Sequence, residues 1–475
     1  MATTLSARQH GLPTFDGVHS EVPGGPKLIT NHNDVPAPKP AQFSILEVLA
    51  QQCDITDEAI QDAYPCTPFQ TVRIRESIQV TGLRHSHMVY ALKDEIRENI
   101  ALFKRCWELA FNRNPILRTR IASLRNANSR ETFVQVVVKD EFRWEIVDDT
   151  KAYQRTERFS GPLRTGVPLV YFAIDEALNH FVLTMHHALY DAYTLSLIWG
   201  DVKAAWNAKG HIESAVARPP YSRFIAYLQR PPSDAASSRW SHPYRSAQDG
   251  QNRGLTDWPH AVQVTGGVFE TKPSLPGSRN VRHTAVIKAA WACTLMEAFK
   301  TSDIVFPDYF TGRCCSVPGI LDIAGPTICA FPFRVQSRSD MTLAHMLENV
   351  QREVTDILKK EHWGLLSPNA RAYTETNGQY ALNVINVFQD SGDKQDNMWL
   401  NGLEPVAGEF PFRGGWDCLV RVIMQKRQMI WTFFADEARL GREVSEYISV
   451  RFPELLEVFS DPENHERNMK DLIGI

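Results

Sequence analysis

The 475-residue sequence has no apolar run near the roughly 18 residues that a membrane-spanning helix needs. It opens MATTLSARQHGLPTF, without the basic and then apolar pattern of a secretory leader, so a cytoplasmic protein with no membrane partner is expected. Positive charge is not in excess. Lys and Arg number 51 against 55 Asp and Glu, for a formal charge of -4, so no nucleic acid partner is expected. Cysteine occurs at Cys53, Cys66, Cys106, Cys293, Cys314, Cys315, Cys329 and Cys418, with no C-x-x-C pair and no histidines at zinc spacing beside them. No structural metal is expected, and the thiols are read as reduced. G-x-S-x-G, G-x-x-x-x-G-K-[ST] and a strand-linked G-x-G-x-x-G are missing too, which excludes nucleophile-elbow, P-loop and dinucleotide readings. What is there is ordinary globular material. At 43% hydrophobic and 22% charged, the chain can build a sizeable core.

At roughly 100–200 residues per domain, the length admits two to four domains. Residues 1–42 are rich in Pro, Gly and Asn without periodicity and predict a flexible or extended arm. From residue 43 order begins, with Ile45, Leu46 and Leu49 at helical spacing. DITDEAIQDAY (54–64), acidic in its first turn, predicts a second short helix. Residues 93–112 carry Ile96, Ile100, Phe103 and Trp107 on one stripe of an amphipathic helix. ILRTRIA (116–122), TFVQVVV (132–138), LVYFAI (169–174) and HFVLTMH (180–186) are β-branched and aromatic, and read as strands. Leu195, Trp199, Val202 and Trp206 stripe a helix that starts after Asp191 and stops at Gly210.

Residues 218–256 hold two Pro pairs around one short helix, then a polar tract, and are read as a linker. They separate an N-terminal lobe, 43–217, from a C-terminal lobe, 257–475. The second lobe offers a helix at 282–300, strands at DIVFPDYF (303–310), ALNVINVF (381–388), CLVRVIM (418–424) and MIWTFFA (429–435), and a final amphipathic helix, SEYISVRFPELLEVF (445–459). The fold class is α/β. Two lobes of similar size and content suggest a pseudo-dimer.

The sharpest local feature is HFVLTMHHALYDAYTLSLIWGDV (180–202). A strand ends at His186 and His187, a short turn follows, and Asp191 opens a helix. A histidine at a strand end is held by the sheet yet reachable, which suits a general base. Asp191 can cap the helix and anchor the turn. The competing reading is a structural histidine beside a plain N-cap, and the strand–turn–helix context favours the base. Neighbouring side chains on a strand point to opposite faces, so the two histidines do not form a metal pair and only one faces a given cleft.

MHHALYDAYT (185–194) resembles the H-H-x-x-x-D-G core motif of nonribosomal peptide synthetase condensation domains. Other segments follow in the family's order. YPCTPFQ (64–70), with the acidic stretch before it, is similar to the opening motif of the fungal type; NPILRTRI (114–121) resembles the second. PYSRFIAYL (220–228) fits the fourth, and DYFTGRCCSVPGILDIAGPTICAFPFRV (308–335) the fifth, with its G-R and G-P elements. ALNVINVFQD (381–390) falls where the family has a late strand. RGGWD (413–417) does not follow the residue order of D-F-G-W-G in plant-type BAHD acyltransferases, and Trp416 reads as a packed aromatic.

The resemblance implies two chloramphenicol-acetyltransferase-like lobes arranged as a V, with the active site in a tunnel between them. It implies that His187 is catalytic, beside His186. It makes Asp191 structural, paired to an arginine, with Arg118 and Arg313 both candidates for the partner. The family's glycine after the aspartate is Ala192 here, whose methyl group would narrow the site where glycine allows a positive φ or a close approach. The implied activity joins a thioester, carried on the phosphopantetheine of a partner acyl or peptidyl carrier protein, to an amine or hydroxyl nucleophile. The fungal-type opening leans toward a terminal, cyclising member. No tightly bound cofactor is implied. With no phosphate loop and no carrier serine motif, the substrate is expected to be brought to this chain. The alternatives are a free-standing CoA-dependent acyltransferase and a non-catalytic module that docks carriers.

Overall fold

The computed structural model describes residues 44–79, 81–82, 84–125, 131–211, 218–229, 262–270, 281–358, 383–389, 400–406, 418–425 and 428–474. The expected arm 1–42, residues 230–256 of the expected linker, and Trp416 lie outside them.

In chain order come α1 (Ile45–Gln52), β1 (Ile60–Pro65), α2 (Pro68–Gln79), β2 (His85–Leu92), α3 (Ile100–Arg113), β3 (Thr119–Arg125), β4 (Glu131–Val138), β5 (Glu145–Val147), β6 (Val170–Asp175), β7 (His180–His186) and α4 (Ala192–Asn207). Then follow α5 (Ser222–Leu228), β8 (Val262–Glu270), α6 (His283–Phe299), β9 (Asp303–Phe310), β10 (Cys329–Gln336), α7 (Leu343–Leu358), β11 (Asn383–Gln389), β12 (Leu403–Pro405), β13 (Cys418–Met424), β14 (Gln428–Ala435) and α8 (Arg442–Ser460).

The strands form three sheets, in the orders β1-β4-β3, β12-β2-β7-β6-β5 and β10-β9-β11-β13-β14-β8. β7 is central in the second and is antiparallel to both neighbours, with Phe181 opposite Tyr90 and Ile174. Its alternation sets everything that follows. Phe181, Leu183 and Met185 pack into the core shared with Phe103 and Trp107 of α3 and Trp199 of α4. Thr184 and His186 take the other face. The third sheet has its own core under α6, α7 and α8. Residues 285–296 of α6 are all buried, as expected of a helix that is apolar all round. Lys288, within that run, is paired with Asp308 of β9 and lies over the Phe310 and Phe333 rings. β12 belongs to the far half of the sequence, yet pairs with β2, Glu404 opposite Ala91.

The elements expected around the histidines, the α6 helix and strands β9, β11, β13 and β14 stand where the periodicity placed them. One does not. The segment 54–64 is a single 3-10 turn at Asp57–Ala59 followed by β1, not a helix. Ile60, Ala63 and Tyr64 are buried and paired to β4, and that burial outweighs the acidic start signal. The helix expected over 93–112 is also broken at Asn99, between short turns Asp94–Glu98 and α3.

Candidate active site

The turn from His187 to Asp191 is held at almost every residue. The His187 N–H donates to the Arg84 carbonyl at 2.8 Å, and the Leu189 N–H to the His186 carbonyl at 3.0 Å. Gln70 donates from Nε2 to the Ala188 carbonyl at 3.0 Å and to Gln135 Oε1 at 2.8 Å. Gln70 is itself fixed by a capping box. Its backbone N–H donates to Thr67 Oγ1 at 3.2 Å, and its Oε1 accepts from the Thr67 N–H at 2.9 Å. Pro68 fills the first helical position, where no N–H is needed. The conformation of YPCTPFQ thus reaches across to hold the histidine turn.

The two histidines divide as strand alternation demands. His186 is fully buried, and its Nδ1 accepts from the Ala188 N–H at 3.2 Å. Its proton is therefore on Nε2, 2.8 Å from Ser77 Oγ, which accepts it. His187 is only partly buried. Its Nδ1 lies 3.2 Å from the Tyr190 carbonyl, which can only accept, so Nδ1 carries the proton and Nε2 is the acceptor. The ring packs against Tyr190 and meets Phe69 edge-on, with centroids 4.8 and 5.6 Å away. Burial, then the charges of Arg73 and Arg84, hold its pKa down to about 3, against the upward pull of the Tyr190 carbonyl. His187 is neutral near pH 7: an oriented hydrogen-bond acceptor rather than a strong base.

Asp191 makes no contact of this kind with His187. It caps α4, its Oδ1 accepting from the Thr194 N–H at 2.7 Å and hydroxyl at 2.6 Å. Oδ2 accepts from the Thr327 N–H at 3.0 Å, and Arg313 Nη2 lies 3.5 Å from Oδ1. Arg313 also donates to the carbonyls of Ile320, Ile323 and Gly325 at 2.8, 3.0 and 3.1 Å, and stacks on Tyr193 at 4.2 Å. Of the two candidate arginines it is Arg313 that reaches Asp191. Arg118 is turned away, donating to Gln61 and to the Val138 carbonyl. Ala192 is the first residue of α4 and has an exposed side chain and no positive φ, so the backbone gives no reason for glycine there.

Asp191→Ala is expected to cost about 3 kcal/mol, since it leaves Arg313 buried without its carboxylate and removes a helix cap. Asp191→Asn keeps the cap but also leaves Arg313 without its carboxylate, so it is expected to cost less than Asp191→Ala by about the 1 kcal/mol of the cap. Urea unfolding of the two variants measures the difference.

The G-P element has an equally local cause. Gly325 has φ +150°, and a Cβ there would sit 2.3 Å from Cδ2 of Tyr221. Tyr221 lies in the PYSRFIAYL stretch and donates its hydroxyl to the Pro326 carbonyl at 2.5 Å. Gly325→Ala is expected to cost about 1–3 kcal/mol through that clash. Combined with Tyr221→Ala, the two losses are expected to fall short of their sum.

Sequence reasoning did not single out Gln70, Phe69, Arg73, Glu76, Arg84, Thr194 or Tyr221 one by one. Gln70 carried a readable signal, the T-x-x-Q capping box. Arg84 carried none.

No family model matches the chain. Among curated proteins it is 30% identical to the nonribosomal peptide synthetase gloA of Glarea lozoyensis over 381 residues, 77% of this chain. It is 31% identical to ecdA of Aspergillus rugulosus over 359 residues, 73% of this chain. The chain spans 5% of the length of each of those two synthetases. Among solved structures, the starter condensation domain of the rhizomide synthetase RzmA matches with a TM-score of 0.62 at 15% identity, over 86% of this chain and 98% of that one. The condensation domain of the Monacolin K polyketide synthase MokA matches at 0.61 and 13%, over 86% and 99%. The fold is thus that of a condensation domain, of chloramphenicol-acetyltransferase-like type. With its synthetase relatives, the chain belongs to the condensation domains of fungal nonribosomal peptide synthetases.

Proposed function

We propose that the chain is a condensation-type acyltransferase that works at His187. A carrier protein presents an acyl or peptidyl thioester on its phosphopantetheine arm. An amine or hydroxyl, on a separate molecule or on the same acyl chain, attacks the thioester carbonyl. The new C–N or C–O bond forms, the C–S bond breaks, and the nucleophile's proton ends on the departing thiolate. His187 Nε2 accepts the hydrogen bond from the nucleophile and aims its lone pair at the carbonyl. As a neutral ring with a low pKa, it orients and relays the proton rather than storing it. Holding both reactants in a water-poor cleft supplies much of the acceleration. The macrocyclising mode and the soluble, cytoplasmic setting belong to the same reading.

The observation that carries it is the fixed tautomer of His187, set by the Tyr190 carbonyl at the end of β7. His186, Asp191 and Arg313 are positioning residues in this reading. The lobes are taken as 43–217 and 257–475, joined by 218–256. The core of the third sheet lies wholly within 257–475 and supports that division, although Ala324, Leu400 and Leu403 of the second half join the core of the first; the contacts of Arg313 and Thr327 with Asp191 and Thr194 support a site where the halves meet.

The test is a direct comparison of donors. The purified chain is given one acyl group on a phosphopantetheinylated carrier and on CoA, with a panel of amines and alcohols, and products are read by mass spectrometry. Faster transfer from the carrier supports the proposal. Faster transfer from CoA supports a free-standing CoA enzyme. Carrier binding without product supports a docking module.

A further inference from the structure

Two arginines and one carboxylate are buried together beside His187. Arg73 on α2 donates from Nη1 to both oxygens of Glu76, at 3.1 and 2.8 Å. Arg84 donates from Nε to Oε2 of the same glutamate at 2.8 Å. Among the described residues, Glu76 is the carboxylate paired with these guanidinium groups, and it leaves one unit of positive charge over. Arg73 Nη2 reaches, among the described residues, a neutral group, the Tyr309 hydroxyl at 3.5 Å on β9. The Nε of Arg73 is buried without a hydrogen-bond partner. A buried cation short of a partner is costly, so the arrangement calls for an anion.

The cluster is fixed to His187 from two sides. The Arg73 guanidinium lies 5.2 Å over the Phe69 ring, which meets the His187 ring at 5.6 Å. Arg84 holds a left-handed backbone, φ 70°, and its carbonyl accepts the His187 N–H at 2.8 Å. Backbone strain of this kind in a non-glycine residue persists where the surroundings over-determine it, often at functional sites.

We propose that Arg73, with Arg84, forms a subsite beside His187 for a carboxylate on the molecule that brings the nucleophile. This rests on the condensation reading and narrows its acceptor to amines or alcohols that carry a free carboxylate. The guanidinium fork suits a carboxylate. The phosphodiester of a phosphopantetheine arm lies the length of that arm from its thiol, so it is not the anion beside the reacting centre. Charge present in the resting site also favours a ground-state anion over a fleeting one. Binding and reaction are coupled, because the same two guanidinium charges disfavour a proton on His187 and a bound carboxylate offsets them.

The test uses the whole chain, with the amino acids as free acids and as primary amides. Calorimetric binding is read first, to the wild type and to His187→Ala, and needs no turnover. KM and kcat with a carrier-borne acyl donor follow, for wild type, Arg73→Gln and Arg73→Lys, with melting curves as folding controls. At least one free acid is expected to bind roughly 10- to 100-fold more tightly than its amide. Arg73→Gln is expected to erase that preference through KM, and Arg73→Lys to retain part of it. Equal binding of acid and amide to the wild type, no binding of any free acid, or an Arg73→Gln variant that loses kcat alike for acids and amides would overturn the proposal. An acid preference without turnover leaves the subsite standing and removes the condensation reading. Turnover without an acid preference does the reverse.

Discussion

Lowering the pH from 7 to 5 is expected to destabilise the protein by roughly 5–6 kcal/mol, with the slope approaching about 4 kcal/mol per pH unit only below about pH 5.5. Three histidines that meet at the end of β7 set this slope. Burial, with the His87 charge, holds His85 down to about 4. Burial holds His186 well below its ordinary value, and the charges of His85, His187, Arg84 and Arg73 add to it. His187 stands at about 3 for the reasons given above. In the unfolded chain all three return to about 6.5. Between about pH 6 and pH 4 the unfolded chain therefore binds protons that the folded one refuses, and each such proton tilts the balance by about 1.4 kcal/mol per pH unit. Stability is greatest above pH 6.5 and falls as pH drops through it. Against a typical total of about 5–15 kcal/mol, two units of acidification are expected to remove a large part of the stability. Urea midpoints at pH 7, 6 and 5 measure the slope. His85→Gln removes one of the three groups and is expected to shallow it by about a third. A stability that is flat across this range would mean that the histidines are protonated in the native state.

How much of this was open to the sequence differs from residue to residue. His187 and Asp191 were legible because their positions are local: a strand of period two, a short turn and a capped helix need no knowledge of the rest of the chain. The split between His186 and His187 was legible for the same reason, as adjacent side chains on a strand cannot share a face. The partner of Asp191 was not. Arg118 and Arg313 both sit in plausible stretches, and only tertiary packing brings the loop carrying Ile320, Ile323 and Gly325 against α4, so that Arg313 and not Arg118 meets the carboxylate. The acidic start of the segment 54–64 is a helix signal, while the force that makes its second half a strand, pairing with β4, is long-range. β12 could not have been placed from its own three residues, since its pairing with β2 is fixed by neither periodicity nor turn chemistry. The charge left over at Arg73 and Arg84 is invisible in the sequence, where each arginine looks like any surface cation.

His187→Ala is the second large expected effect. His187 has a single role in the proposed reaction. With Nδ1 committed to the Tyr190 carbonyl, it presents Nε2 to the nucleophile. Removing a positioned acid–base group typically costs about 10²–10⁴ in rate. The loss is expected in kcat, with the KM of the carrier-borne donor little changed, because the ring acts on the reacting atoms and not on the arm. His187 is partly exposed, so the truncation is expected to leave the fold intact, and it removes one of the three histidines that refuse protons. Asp191→Asn, which keeps the helix cap and does not touch the ring, serves as the comparison and is expected to lose much less of the rate than His187→Ala. The measurement that bears most directly on the role of His187 is single-turnover acyl transfer from a loaded carrier, followed by mass spectrometry, with wild type and His187→Ala side by side. A fall of about 10²–10⁴ in the rate of product formation, with carrier binding unchanged, is the expected result. Equal rates in the two proteins would contradict it.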